Sequence, residues 1–346
     1  MSKKIALISG VTGQDGSYLS EQLIEKNYEV HGIVRRNSSD SVGCLELDTG
    51  YHNPHKKINL HYGDVTDSSN VERLINKLKP DEIYNLAAQS HVRVSFDTPE
   101  YTANVDAIGT LRFLESIRSL HDYKKIKFYQ ASTSELYGKV QNVPQDELTP
   151  FYPRSPYAVA KLYSYWIVRN YREAYGIFCS NGILFNHESH RRGKSFITKK
   201  VISQAVKIIN NQTEKMYLGN LYAKRDWGYA PEYTDAMWRI LQYKAPDDFV
   251  IATGETHTVK ELVEETFRNL NDKIVWVGEG IDEKGILESN NRVVIEIDPY
   301  YFRPTEVNLL IGNPKKSKDL LNWEANTKFK ELVKIMVEDE LKAFKK

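Results

Sequence analysis

Short apolar runs recur through the first half of the chain, separated by stretches in which apolar residues return every three or four positions. Residues 4–9, Glu29–Val34, Ile58–Tyr62, 82–88 and 127–132 are such runs, mostly near-continuous in apolar character, which predicts strands covered on both faces. Between them, residues 17–26 put Leu19, Leu23 and Ile24 on one helical face, and residues 104–120 repeat Ile108, Leu111, Leu114 and Ile117 at the same interval. Alternation of this kind is expected of parallel strands joined by crossover helices. Ser155-Pro156 supplies an N-cap and a proline at the first helical position, so a helix is predicted from there to about Tyr175, with a sixth strand over residues 177–185. Beyond Asn186 the alternation fades. Polar and aromatic loops are expected at 188–194 and 220–231, and helices near 234–242, 259–269 and 329–344. Residues 248–254 again read as a buried strand, a candidate to return to the first sheet. No repeat of fixed period is present.

At 346 residues the chain has room for about two domains. Lys and Arg number 47 against 46 Asp and Glu, a formal charge of +1, so no global field draws nucleic acid or an anionic membrane, and any anion site is local. Cys44 and Cys179 stand far apart and outside any C-x-x-C spacing, which predicts two free thiols rather than a disulfide or a zinc site. The apolar run after Lys4 is too short for a signal peptide and no run suits a spanning helix, so a cytoplasmic protein is expected.

Ser9-Gly10-Val11-Thr12-Gly13-Gln14-Asp15-Gly16 follows the first strand and opens the first helix. Glycines there permit a tight turn and let backbone N–H groups approach a pyrophosphate, while the helix N-terminus adds positive potential. The spacing is Gly-x-x-Gly-x-x-Gly, looser than the dinucleotide fingerprint, so the strand-turn-helix context carries the reading. About 20 residues on, where an NAD site carries an acidic residue, stand Arg35 and Arg36. Guanidinium groups pair with a 2′-phosphate that a carboxylate would repel, which favours NADP. Asp64, after the third strand, is a candidate for the adenine end.

Tyr157 and Lys161 lie four apart on the predicted helix and share a face. A phenol of pKa near 10 is only about 0.1% ionised at neutral pH, and using it as a base there costs roughly 4 kcal/mol unless a cation lowers that value. Lys161 is such a cation, and the helix N-terminus acts in the same sense. Such a pair is common on solvated helices and decides little alone. Thr133, at the carboxyl end of the fifth strand, adds a hydrogen-bonding group at the edge where open α/β sheets bind ligands.

With these residues the sequence resembles the extended short-chain dehydrogenase/reductases, and within them the GDP-mannose 4,6-dehydratases. The resemblance is carried by Ser132-Thr133-Ser134-Glu135-Leu136-Tyr137-Gly138, the segment from Pro150 to Lys161, Asn181-Gly182-Ile183-Leu184-Phe185-Asn186-His187-Glu188-Ser189, Arg225-Asp226-Trp227-Gly228 and the segment from Tyr301 to Val307, and spans nearly the whole chain. It implies an α/β fold: a Rossmann-type doubly wound parallel sheet with a smaller, interleaved α/β substrate domain. The expected division is 1–185 plus about 226–254 for NADP, and about 186–225 with 255–346 for the GDP-sugar. A homotetramer is also implied, with Arg35-Arg36 near a neighbouring subunit's cofactor.

The resemblance assigns Thr133, Glu135, Tyr157 and Lys161 to catalysis. Gly10, Thr12, Gly13, Gln14, Asp15, Gly16, Arg35, Arg36, Asp64, Val65, Leu86, Ala87, Ala88 and Ser132, with Tyr157, Lys161, His187 and Arg192, would hold the cofactor. Ser90, Glu135, Asn186, Lys200, Arg225, Arg303 and Glu306 would meet the substrate, with His91 beside Ser90. Tyr157 takes the C4 hydroxyl proton as hydride leaves C4; Glu135 then moves the C5 proton onto the departing C6 hydroxyl, giving a 4-keto-6-deoxy sugar. An epimerase needs no such carboxylate, so Glu135 is the residue that separates the two readings. His187 and His190 lack a third metal ligand, and no metal is expected.

Some positions depart from the family's pattern. Family members commonly carry a small residue at Arg93, proline at His190 and histidine at Tyr229, and segment 44–57 also differs. Arg93 and His190 flank stretches assigned to the pockets, which keeps GDP-manno-heptose open as a substrate beside GDP-mannose. The sequence also leaves room for a sugar epimerase and for a nucleotide-sensing protein without turnover.

Overall fold

The computed structural model describes residues 3–36, 43–46, 57–302 and 305–345. The chain runs through β1 (Ile5–Ser9), α1 (Gln14–Glu25), β2 (Glu29–Val34), β3 (Ile58–Tyr62), α2 (Ser68–Leu78), β4 (Glu82–Asn85), α3 (Val92–Asp97), α4 (Pro99–Ala103), a π-helical turn (Asn104–Ile108) and α5 (Gly109–Arg118). It continues through β5 (Lys127–Thr133), α6 (Pro156–Tyr175), β6 (Phe178–Leu184), β7 (Asn186–Glu188), α7 (Ile197–Ile209), β8 (Met216–Leu218), β9 (Lys224–Arg225), β10 (Trp227–Tyr229) and α8 (Ala230–Gln242). Last come β11 (Asp248–Ile251), β12 (His257–Thr258), α9 (Val259–Asn269), β13 (Ile274–Val277), β14 (Lys284–Leu287), β15 (Val293–Ile297), α10 (Lys315–Leu321) and α11 (Phe329–Phe344).

Seven strands form one all-parallel sheet in the order β11-β6-β5-β4-β1-β2-β3. The strand order reverses between β1 and β4, and in such sheets a ligand crevice opens there, outside the carboxyl ends. One face of the sheet is covered by α1 and α8, whose Leu19, Leu23, Met237 and Ile240 share a core with Ala6, Ile8 and Phe249. The other is covered by α2, α5 and α6 through Leu74, Phe113, Leu114 and Val168. This two-sided burial is why the inner strands read as unbroken apolar runs, whereas the edge strand β3 leaves Asn59, Leu60 and Tyr62 exposed.

A smaller four-stranded sheet, β13-β14-β15-β8, packs with α7, α9 and α11 around Val201, Val263, Ile295 and Met336. Two short pairings, β7 with β10 and β9 with β12, stand beyond β6. Asp226 pins the crossing: its buried carboxylate accepts from Thr253 N, Thr253 Oγ1, Gly254 N and Gly312 N at 2.7–3.2 Å. Burial nevertheless pushes Asp226 up to about 6.

The expected strand at 248–254 joins the main sheet beside β6 as β11. The run at 82–88 is cut short. β4 ends at Asn85 because Leu86 and Ala87 turn away, their backbone N–H groups lying 3.2 Å from Ser9 Oγ. The expected loops at 188–194 and 220–231 contain β9, β10 and the end of β7, runs of two or three residues that carry no readable alternation. Helix α2 was not among the expected elements, although its sequence carries a signal. Asp67 accepts from Asn70 N at its N-cap, and Val71, Leu74 and Ile75 fall on the buried face. No helix among the described residues is long and apolar enough to cross a membrane.

Candidate active site

The glycine turn is built by close approach. Gly10 has φ +71°, and a Cβ there would sit 2.9 Å from the Leu86 and Ala87 backbone; one on Gly16 would sit 2.3 Å from Gly10 O. A side chain at either position fills the turn with carbon. Gly13 caps α1 without a side-chain hydrogen bond, so no side chain of the cap competes for the first-turn N–H groups. The turn and helix end suit the diphosphate of a dinucleotide, which needs donors and positive potential but little volume.

From this turn a single cleft of about 1680 Å³ runs along the carboxyl ends of the strands to the smaller sheet. All the site residues expected from the sequence line it except Arg303, which lies outside the described residues. Asn37, Ser38 and most of segment 44–57 lie outside them as well. Beyond β2, Arg35 hydrogen-bonds to the Tyr101 hydroxyl, and Arg36 lines the cleft. Asp64 Oδ1 accepts from Thr66 N and Thr66 Oγ1, both at 2.8 Å.

Ser155 Oγ accepts from Ala158 N at 3.1 Å and Pro156 occupies the first turn of α6, which fixes the register that puts Tyr157 and Lys161 on the buried face. Tyr157 is 7% and Lys161 2% exposed. Lys161 Nζ lies 5.9 Å from the Tyr157 ring centre and donates to Ala131 O at 3.1 Å. Thr133 ends β5, and its Oγ1 accepts from the Glu135 backbone N–H at 3.2 Å, which seats Glu135, itself 8% exposed, beside it in the cleft.

The electrostatics differ from the simple expectation. Burial pushes the Tyr157 phenol up, the carboxylates of Asp106 and Glu135 add to this, and the hydrogen bond with Thr133 and the charge of Arg192 pull the other way. Burial draws Lys161 down and Asp106 opposes it. In the protein alone Tyr157 is therefore held as a neutral phenol, because desolvation outweighs the cations around it.

A second constellation closes the cleft at α1. Asp15 Oδ2 lies 2.9 Å from His187 Nε2, His187 Nδ1 lies 2.7 Å from Phe185 O, and the imidazole stacks on Tyr233 with ring centres 4.7 Å apart. Gln14 ties the same strand down through His187 O and Ser189 Oγ. Arg192 pairs with Glu188 at 3.1 Å and lies 3.7 Å from the Phe196 ring centre.

Toward the smaller sheet, Lys200 Nζ donates to Tyr217 O at 2.7 Å and sits 3.4 Å from the Tyr301 ring centre, where burial pulls the ammonium down. Arg225 Nη1 donates to Val307 O at 2.7 Å, and Nη2 faces Glu306 at 3.4 Å. Trp227, Tyr300 and Tyr301 line this end too; Trp227 and Tyr301 stand in segments that carry the family resemblance without a role of their own there, and Tyr300 in none. Arg93 lines the cleft with its guanidinium paired to Asp97 at 2.9 Å. His190 does not line it. Its ring lies 3.3 Å from the Tyr18 hydroxyl and 3.4 Å from Asp339, so of the two departures only Arg93 bears on the cleft.

The family model for GDP-mannose 4,6 dehydratase matches residues 7–336. The chain belongs to that family. It is 56% identical to GDP-mannose 4,6 dehydratase 2 of Caenorhabditis elegans, over 98% of this chain and 89% of that one. With the human GDP-mannose 4,6 dehydratase it shares 56% over 97% and 91%. Among solved structures it is similar to dTDP-glucose 4,6-dehydratase from Bacillus anthracis in complex with NAD, with a TM-score of 0.79 at 19% identity over 99% and 98% of the chains. That likeness bears on the fold, and family membership rests on the first three matches.

Asp15 and His187 set a pH signature. His187 is raised despite burial, so its contribution to stability is complete below 6.5 and is lost as pH rises through the raised value. Asp15 is lowered despite burial, so its contribution is present above 3.8 and lost as pH falls through the lowered value. The melting-temperature gap between wild type and Asp15→Asn should be widest, roughly 2–4 °C, between these two limits and narrow as pH rises through the raised value of His187. A gap that does not change with pH contradicts the pairing.

Proposed function

We propose that this chain is an NADP-dependent GDP-mannose 4,6-dehydratase, a hydro-lyase that converts GDP-D-mannose to GDP-4-keto-6-deoxy-D-mannose and water. The observation that carries the reading is the convergence of Thr133, Glu135, Tyr157 and Lys161 on one cleft that begins at a phosphate-binding turn. Membership of the dehydratase family supports it.

Gly10, Gly13 and Gly16 would take the diphosphate of the cofactor, with Asp64 and Val65 at its adenine end and Arg36 at the 2′-phosphate. When bound, NADP would supply the hydride acceptor for C4 and the hydride donor for C6, and its oxidised ring would add positive charge to the site. Tyr157 removes the C4 hydroxyl proton, with Thr133 holding that hydroxyl and Lys161 favouring the phenolate. The C4 ketone acidifies C5. Glu135 takes the C5 proton and delivers it to the C6 hydroxyl, which leaves as water, and C5 regains a proton from the site. Lys200 and Arg225 meet the charge of the GDP diphosphate, and Glu306 accepts from the nucleoside. The enzyme acts in the cytoplasm as a homotetramer in this reading.

Two variants test it. Glu135→Gln should retain cofactor and substrate binding and lose about 10²–10⁴-fold in formation of the 4-keto product; undiminished turnover removes Glu135 from this role. Arg36→Glu should weaken NADP at least about tenfold and leave NAD binding nearly unchanged, as measured by cofactor titration. Equal weakening of both contradicts the 2′-phosphate assignment.

A further inference from the structure

Helix α7 borders the cleft along its length, and Phe196, Lys200 and Gln204 line it on successive turns. Phe196, at the N-cap, lies with its ring centre 5.6 Å from that of His91 and 3.7 Å from the Arg192 guanidinium, beside the residues expected at the sugar and the nicotinamide. Lys200 follows, and Gln204 comes one turn later on the same face, about 6 Å farther along the axis. A sugar nucleotide laid along α7 with its sugar at Phe196 and its diphosphate at Lys200 therefore brings its nucleoside to Gln204.

The other polar side chains of that end are engaged. Lys200 donates to Tyr217 O and Arg225 to Val307 O, while Glu306 accepts from Val307 N at 3.0 Å and faces Arg225. Asn220 Oδ1 accepts from Tyr222 N at 3.0 Å. Gln204 differs: it is half-buried, and its amide makes no hydrogen bond to the described residues. Leu218, at the end of β8, and Val259, at the start of α9, supply buried apolar wall at the same end. A planar amide presents a donor and an acceptor side by side. Among the parts of a GDP-sugar, the guanine ring shows the complementary pattern in one plane, N1–H beside O6.

We propose that Gln204 reads the base of the substrate: its Oε1 accepts from guanine N1–H and its Nε2 donates to guanine O6, while Lys200 and Arg225 hold the diphosphate. The apolar walls of Leu218 and Val259 suit the faces of the ring, and the amide gives its edge the partners that water otherwise supplies.

This inference rests on the GDP-sugar reading, and equilibrium binding without turnover keeps the two apart. GDP and N1-methyl-GDP, in which a methyl group replaces the N1 proton, are titrated by calorimetry into the NADP-loaded protein. Methylation should weaken binding to wild type about tenfold or more. Gln204→Met keeps the length of the side chain and removes the amide; it should bind GDP about tenfold more weakly and bind the two nucleotides alike within about twofold. The two changes together then cost no more than either alone, which is the mark of a direct contact. Gln204→Leu gives the same comparison if the Met variant does not fold. Losses that multiply, a wild type indifferent to methylation, or a Met variant that binds GDP as wild type does each overturn the proposal while the GDP-sugar reading stands. Wild-type protein that binds neither nucleotide defeats that reading and this inference with it.

Discussion

Desolvation of Tyr157 is the constraint around which the site is arranged. A phenol at 7% exposure with two carboxylates bearing on it is a poor base, and the surrounding groups must favour its anion by more than burial disfavours it. Thr133 and Arg192 act in that direction within the chain. The same burial removes water that would otherwise screen these charges, so each counts for more than it would on the surface. Lys161 is subject to the same rule. At 2% exposure burial draws its ammonium down, against the hydrogen bond to Ala131 O and the charge of Asp106.

The fold makes this arrangement reachable from distant parts of the chain. Reversal of strand order at β1 and β4 opens the crevice, and the loops after β1, β4, β5 and β6 all empty into it. The glycine turn comes from the first of these, Glu135 from the third beside Thr133 at the end of β5, and His187 from β7, which follows β6 directly. Asp226 then anchors β10 to the loop after β11 and to Gly312, so the smaller sheet closes the far end at a fixed position. The long cleft that results suits a dinucleotide at one end and a nucleotide sugar at the other.

Much of this was legible in the sequence because local patterning and tertiary burial agree. The inner strands of the main sheet lie buried between two helical layers and therefore show as apolar runs, and α6 announces itself through Ser155-Pro156. The smaller sheet was harder to see. Strands as short as β9 and β12 are fixed by pairing partners remote in sequence, which periodicity cannot register. Arg225 and Glu306 were foreseen as separate ligands and face each other, a relation that only the β9 neighbourhood creates. Asp106 was overlooked although its position carries a signal: it falls four residues before Thr110 and seven before Phe113, on the face that the helix buries.

The claim that Tyr157 and Glu135 act on neighbouring carbons of one sugar ring is tested most directly by running the reaction with GDP-mannose in deuterium oxide and locating the label by NMR. One solvent deuterium at C5, none in the C6 methyl group and a carbonyl at C4 are the predicted result. A product that keeps protium at C5, or one inverted at C4 with its C6 hydroxyl intact, contradicts the account.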